Sequence, residues 1–140
     1  MMIKIIENLY IDEDEILTKF IRSPGPGGQH VNKVESAVQI RFDAKNSAAI
    51  HDALFQRLKK LSGQRMTQDG VIIITSNGTR SQTRNREDAI QRLVSLIHKA
   101  TIIPKRRKVT KPSKAAKQRR LDGKKQKGVT KKLRGSVIRD

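Results

Sequence analysis

Arg22-Ser23-Pro24-Gly25-Pro26-Gly27-Gly28-Gln29-His30-Val31-Asn32-Lys33, followed by Ala37-Val38-Gln39-Ile40-Arg41-Phe42, is the stretch on which the reading of this chain turns. Three glycines and two prolines in seven residues suit no helix or strand interior. The glycines open backbone torsions closed to other residues, and the prolines stiffen the points between them. After the loop, Val38, Ile40 and Phe42 alternate with Gln39 and Arg41, the pattern of a half-buried strand. Before it, Ile16 to Arg22 is rich in β-branched and aromatic residues. The spacing therefore predicts a hairpin with an oversized connection. Long loops on rigid scaffolds are where function concentrates.

Downstream, Asn46 or Ser47 is a candidate N-cap for a helix with Ile50, Leu54, Phe55, Leu58 and Leu61 on one face and Gly63 closing it. Asp69-Gly70 marks a turn before Val71-Ile72-Ile73-Ile74, a short strand expected to be covered on both faces. A second helix carries Ala89, Ile90, Leu93, Val94, Ile97 and Thr101, and Pro104 stops it. The order β-loop-β-α-β-α predicts a small α+β domain.

The charge divides the chain. Of a net +18, residues 104–140 hold 16 Lys and Arg against 2 Asp, while residues 1–103 hold 15 basic and 11 acidic side chains. The tail has too few sizeable apolar residues to bury a core and is expected to be disordered when free. The reading is a folded domain over 1–103, an extended linker over 104–116 punctuated by Pro104 and Pro112, and a basic tail over 117–140. Zero cysteines exclude disulfides and thiolate metal sites, and His30, His51 and His98 lack metal-ligand spacing. No metal and no cofactor is expected. No apolar run approaches a membrane span, and the acidic Asp12-Glu13-Asp14-Glu15 argues against a transit peptide. A cytoplasmic monomer with a polyanionic partner is the expectation, an organellar matrix being the other compartment open to it.

The glycines do not form a dinucleotide fingerprint or a phosphate-binding P-loop. Arg22-Ser23, Gly25-x-Gly27-Gly28-Gln29-x-Val31-Asn32-Lys33 and Ser36-Ala37-Val38 instead resemble the catalytic-domain signature of class I peptide-chain release factors. Arg80-Ser81-Gln82 with Asn85-Arg86 and Ala89 resemble the same family's second block. In the tail, Lys117-x-Arg119-Arg120-Leu121-x-x-Lys124 and Lys131-x-x-Arg134 resemble the basic extension of the stand-alone ribosome-rescue peptidyl-tRNA hydrolases. The resemblance covers most of residues 15–100 and includes no codon-reading domain. Pro24 departs from it, standing where a small or polar residue is expected.

The resemblance implies a release-factor catalytic-domain fold and hydrolysis of the ester joining a nascent peptide to tRNA. Gly27, Gly28 and Gln29 would be catalytic, Gln29 through its backbone N–H and a side chain that shapes the water pocket. His30 titrates near neutral pH, but its place beside Gln29 does not make it a general base. The implied partner is a 70S-type ribosome with peptidyl-tRNA in its P site, contacted through ribosomal RNA.

On a helix, Arg120, Lys124, Lys127, Lys131 and Arg134 would line one side, with Leu121 beside them. Gly123, Gly128 and like-charge repulsion oppose that helix in free solution, and RNA would relieve the repulsion. The resemblance places it in the ribosomal mRNA channel, as a sensor of missing message. Arg22, Lys33 and Arg119 complete the expected RNA contacts. Two alternatives stand: a related hydrolase acting on split large subunits or with a partner factor, and a non-catalytic basic ribosome- or RNA-binding protein.

Overall fold

A computed structural model describes residues 1–22 and 35–135. The chain divides into two compact units, Met1–Pro104 and Lys105–Asp140.

The first unit is built on a three-stranded antiparallel sheet of β3 (Ile16–Ile21), β4 (Ala37–Asp43) and β5 (Val71–Ser76), in the order β3-β4-β5. The alternation in β4 is realised as expected: Val38, Ile40 and Phe42 are fully buried, Gln39 is half-buried and Arg41 is exposed. Register sets Phe20 and Ser76 on either side of Val38, and Thr18 and Ile74 on either side of Ile40. In β5 only Ile72, Ile74 and Ser76 are buried, while Val71, Ile73 and Thr75 are half-exposed. An edge strand with one face inward replaces the doubly covered strand expected there. Gly70 starts it at φ +85°, where an added Cβ would lie 2.6 Å from the Lys45 Cβ, so the turn requires glycine on two counts.

Two helices complete this core. In α1 (Asp52–Ser62), Leu54 and Leu58 are buried, whereas Leu61 is 47% exposed and Ile50 is buried ahead of the helix. The helix begins later than expected. Its cap is His51, whose Nδ1 accepts from the Leu54 N–H at 3.1 Å. Neither residue expected to cap it is free to do so. Asn46 donates its N–H and Nδ2 to Asp43, and Ser47 Oγ donates to the Glu15 carboxylate at 3.1 Å. Gly63 ends the helix as expected, at φ +55°. The second helix, α2 (Gln82–Thr101), is capped by Ser81 and buries Asn85, Ala89, Leu93, Leu96, Ile97 and Ala100. It packs on β4, β5 and α1. Each large apolar side chain fully buried here contributes about 1.5–3 kcal/mol.

A hairpin of β1 (Met2–Ile6) and β2 (Leu9–Asp12), absent from the sequence-based order, precedes the sheet and packs on α2. Its register shifts between Lys4 and Ile6, which breaks the two-residue alternation that would announce it. Ile5 and Ile11 are its buried residues.

The second unit contains α3 (Lys114–Leu133), preceded by an exposed segment with no helix or strand. The helix begins at Lys114, three residues before the expected start of the tail, because Ser113 Oγ accepts from the Ala116 N–H at 3.1 Å and Ala115 and Ala116 are strong helix formers. None of its residues is buried, so it rests on local bonds, and such a helix is marginal in water.

Candidate functional site

The glycine-rich loop springs from the end of the sheet. Among the described residues, Ile21 and Ala37 form the last rung between β3 and β4. Gly27, Gly28, Gln29 and Lys33 lie outside the described residues. Arg22, the first residue beyond the rung, is exposed.

The returning foot of the loop is held by α2. Asn85, fully buried, sits one turn into that helix. Its Nδ2 donates to the Ser36 carbonyl at 2.7 Å and to the Thr79 carbonyl at 2.8 Å. Its Oδ1 accepts from the Thr79 N–H at 3.0 Å and from Thr79 Oγ1 at 2.9 Å. Four partners exhaust what an amide side chain can bind. One turn earlier, Gln82 Nε2 donates to the Glu35 carbonyl. Arg80 and Arg84 stand exposed around this junction.

The helix that holds the loop is itself braced. Asp88 Oδ2 accepts from Ser76 Oγ at 2.6 Å and pairs with Arg92 at 2.8 Å. Arg86 pairs with Glu13, in the turn after β2. The Arg86 guanidinium, by hydrogen bond and then by charge, holds the Glu13 carboxyl below its ordinary value. Sequence reading placed Gln82 and Asn85 in a motif but gave neither a job. The available signal was an uncapped amide at the start of an apolar helix face, which is a poor place for one unless it has partners.

On α3 the expected cationic stripe forms. Arg120, Lys124, Lys127 and Lys131 recur at helical spacing on one side, and Arg134 caps the end. Leu121, half-exposed, lies beside Lys117, Arg120 and Lys124 around a shallow depression. Arg119 falls off the stripe, and its Nε reaches back to the Ala115 carbonyl at 3.4 Å. Asp122 is bound by Gln118 at 3.0 Å, and among the described residues no cation of α3 is paired with a carboxylate. Among the described residues no helix is long and apolar enough to cross a membrane.

The domain is thus a three-stranded sheet whose β3–β4 connection carries the glycine-rich segment, with the residues returning from it bound by α2. The family profile of the RF-1 domain matches residues 4–134, and the chain belongs to that family. It is 43% identical over 136 residues to the peptidyl-tRNA hydrolase ArfB of Pseudomonas putida, covering 97% of this chain and 98% of that protein. It is 32% identical over 96 residues to the large ribosomal subunit protein mL62 of Mus musculus, 69% of this chain and 47% of the mouse protein. Peptide chain release factor 1 of Parabacteroides distasonis is 38% identical over 88 residues, 63% of this chain and 19% of the factor.

Proposed function

We propose that this chain hydrolyses the ester of peptidyl-tRNA on stalled ribosomes without reading a codon. The observation that carries the reading is the 43% identity over nearly the full length of both chains to a peptidyl-tRNA hydrolase, which takes in the loop and the basic helix together. In the reaction, water attacks the ester carbonyl, negative charge develops on its oxygen, and the ribose hydroxyl leaves. The Gln29 backbone N–H is the donor aimed at that charge, a contribution of about 3–4 kcal/mol when preorganised. Gly27 and Gly28 give the backbone the torsions and close approach that this needs. No candidate general base stands out in the loop sequence, so the tip depends on ribosomal RNA and the tRNA ribose to complete the site. The protein then works as a cytoplasmic monomer, active only on the ribosome.

In this reading α3 and its stripe occupy the mRNA channel when message has run out, Arg22 and Lys33 contact RNA near the loop, and residues 104–116 set the reach between them. Hydrolysis on ribosomes stalled without downstream message tests both parts. Gly28→Ala is expected to reduce the rate by about 10²–10³-fold, the scale of a lost oxyanion donor. Replacing Arg120, Lys124, Lys127 and Lys131 together by Gln is expected to weaken ribosome binding and leave the chemical step intact. An active Gly28→Ala protein removes the catalytic role. Equal activity on ribosomes with long downstream message removes the sensor.

The mouse relative's name favours a second reading, residence on the large subunit. Salt-resistant co-sedimentation with isolated large subunits would support it.

A further inference from the structure

We propose that Asn85 and Gln82 are positioning residues for the reaction: together they clasp Glu35 and Ser36, the backbone at the returning foot of the glycine-rich loop. The inference rests on the hydrolytic reading of that loop.

Gln82 and Asn85 stand three residues apart on α2 and therefore share a face. They take the carbonyls of two consecutive residues, Glu35 and Ser36. Consecutive carbonyls of an extended chain point in opposite directions. Holding both fixes the chain's rotation about its own axis as well as its position. The rung between Ile21 and Ala37 sets the separation of the two feet but does not fix the direction in which the backbone emerges beyond it.

Asn85 is an expensive way to fill its position. A buried amide is tolerated only when its hydrogen bonds are made, and an alanine or leucine would serve packing alone. Two of its four bonds lock Thr79 through N–H and hydroxyl, and a third takes the Thr79 carbonyl. Asn85 is thereby oriented so that its remaining donor points at Ser36. The braces to Ser76 and Glu13, and the burial of Ala89 and Leu93 behind them, make α2 a stiff mount. A reacting group displaced by about 1 Å can lose two orders of magnitude in rate, so a loose foot would register in catalysis before it registered in binding.

The test uses the full chain. Gln82→Leu removes the donor at an exposed position and is not expected to disturb folding. Gln82→Glu puts an acceptor against the Glu35 carbonyl. Asn85→Asp keeps the acceptor for Thr79 but loses the donor for Ser36. Leu96→Ala, buried on α2, is the control for simple destabilisation. Single-turnover hydrolysis at saturating ribosome complex, affinity for that complex, urea unfolding, and amide exchange at residues 35–37 are measured for each.

Rates are expected to fall about tenfold for Gln82→Leu and Gln82→Glu and about a hundredfold for Asn85→Asp. Affinity should stay within about twofold, and exchange at residues 35–37 should quicken. Leu96→Ala should lose stability and keep its rate. Unchanged rates in the three clasp variants, or a rate loss matched by Leu96→Ala, overturn the proposal. Should the unaltered chain hydrolyse nothing, the functional reading falls. The clasp is then decided by exchange alone, and unchanged protection of residues 35–37 in Gln82→Leu overturns it.

Discussion

Glu13 and Arg86 join the turn after β2 to α2, with side chains 27% and 34% exposed. Because Arg86 holds the Glu13 carboxyl below its ordinary value, the folded state binds the proton less readily than the unfolded chain. The pair's stabilisation is therefore complete above the ordinary carboxylate range and is lost as pH falls through the lowered value of the folded state. Glu13→Gln is expected to unfold at lower urea than the unaltered protein at pH 7, and the gap should close at strongly acid pH. A gap that persists in acid would show that the pairing is not the cause. At this scale the sequence was legible where a residue's role is local. Gly63 as a helix terminator and Gly70 as a turn residue follow from backbone torsions alone. The cap at His51 was not legible, because Asn46 and Ser47 are better cap formers and lose the position only through partners supplied by Asp43 and Glu15.

At the scale of the element, β4 and α2 were the clearest, each with an unbroken apolar period. The hairpin β1–β2 was the least clear, its alternation interrupted between Lys4 and Ile6. The helix α3 carries the element-scale prediction. Gly123 and Gly128 lie in its interior, and a Cβ at either meets nothing within 4 Å. Each Gly→Ala replacement should therefore favour the helix by about 0.8–1 kcal/mol without a steric penalty. Circular dichroism at 222 nm on the full chain should deepen for the double variant, and its loss on warming should shift upward. An unaltered spectrum would contradict a helix held by local bonds alone. Glycine at these positions lowers the helix's intrinsic stability relative to alanine.

At the scale of the whole molecule, the division of charge makes a prediction that does not depend on catalysis. If α3 meets RNA phosphates through its stripe, log affinity for a single-stranded RNA oligonucleotide falls linearly with log salt, by roughly 0.7 per phosphate contact. Replacing Arg120, Lys124, Lys127 and Lys131 by Gln should reduce that slope by about 3. A slope unaltered by the four substitutions would assign the phosphate contacts to other cations. The sequence by itself determined the α+β order of the sheet and helices, the glycine-rich tip and the basic tail. Each of these is written in local composition or in a period of two or 3.6 residues. Only the tertiary structure decided what holds the tip's foot. Residue 36 and residue 85 are far apart in the chain and close in space, and a hydrogen bond between a backbone carbonyl and a distant amide leaves no periodic trace in the sequence.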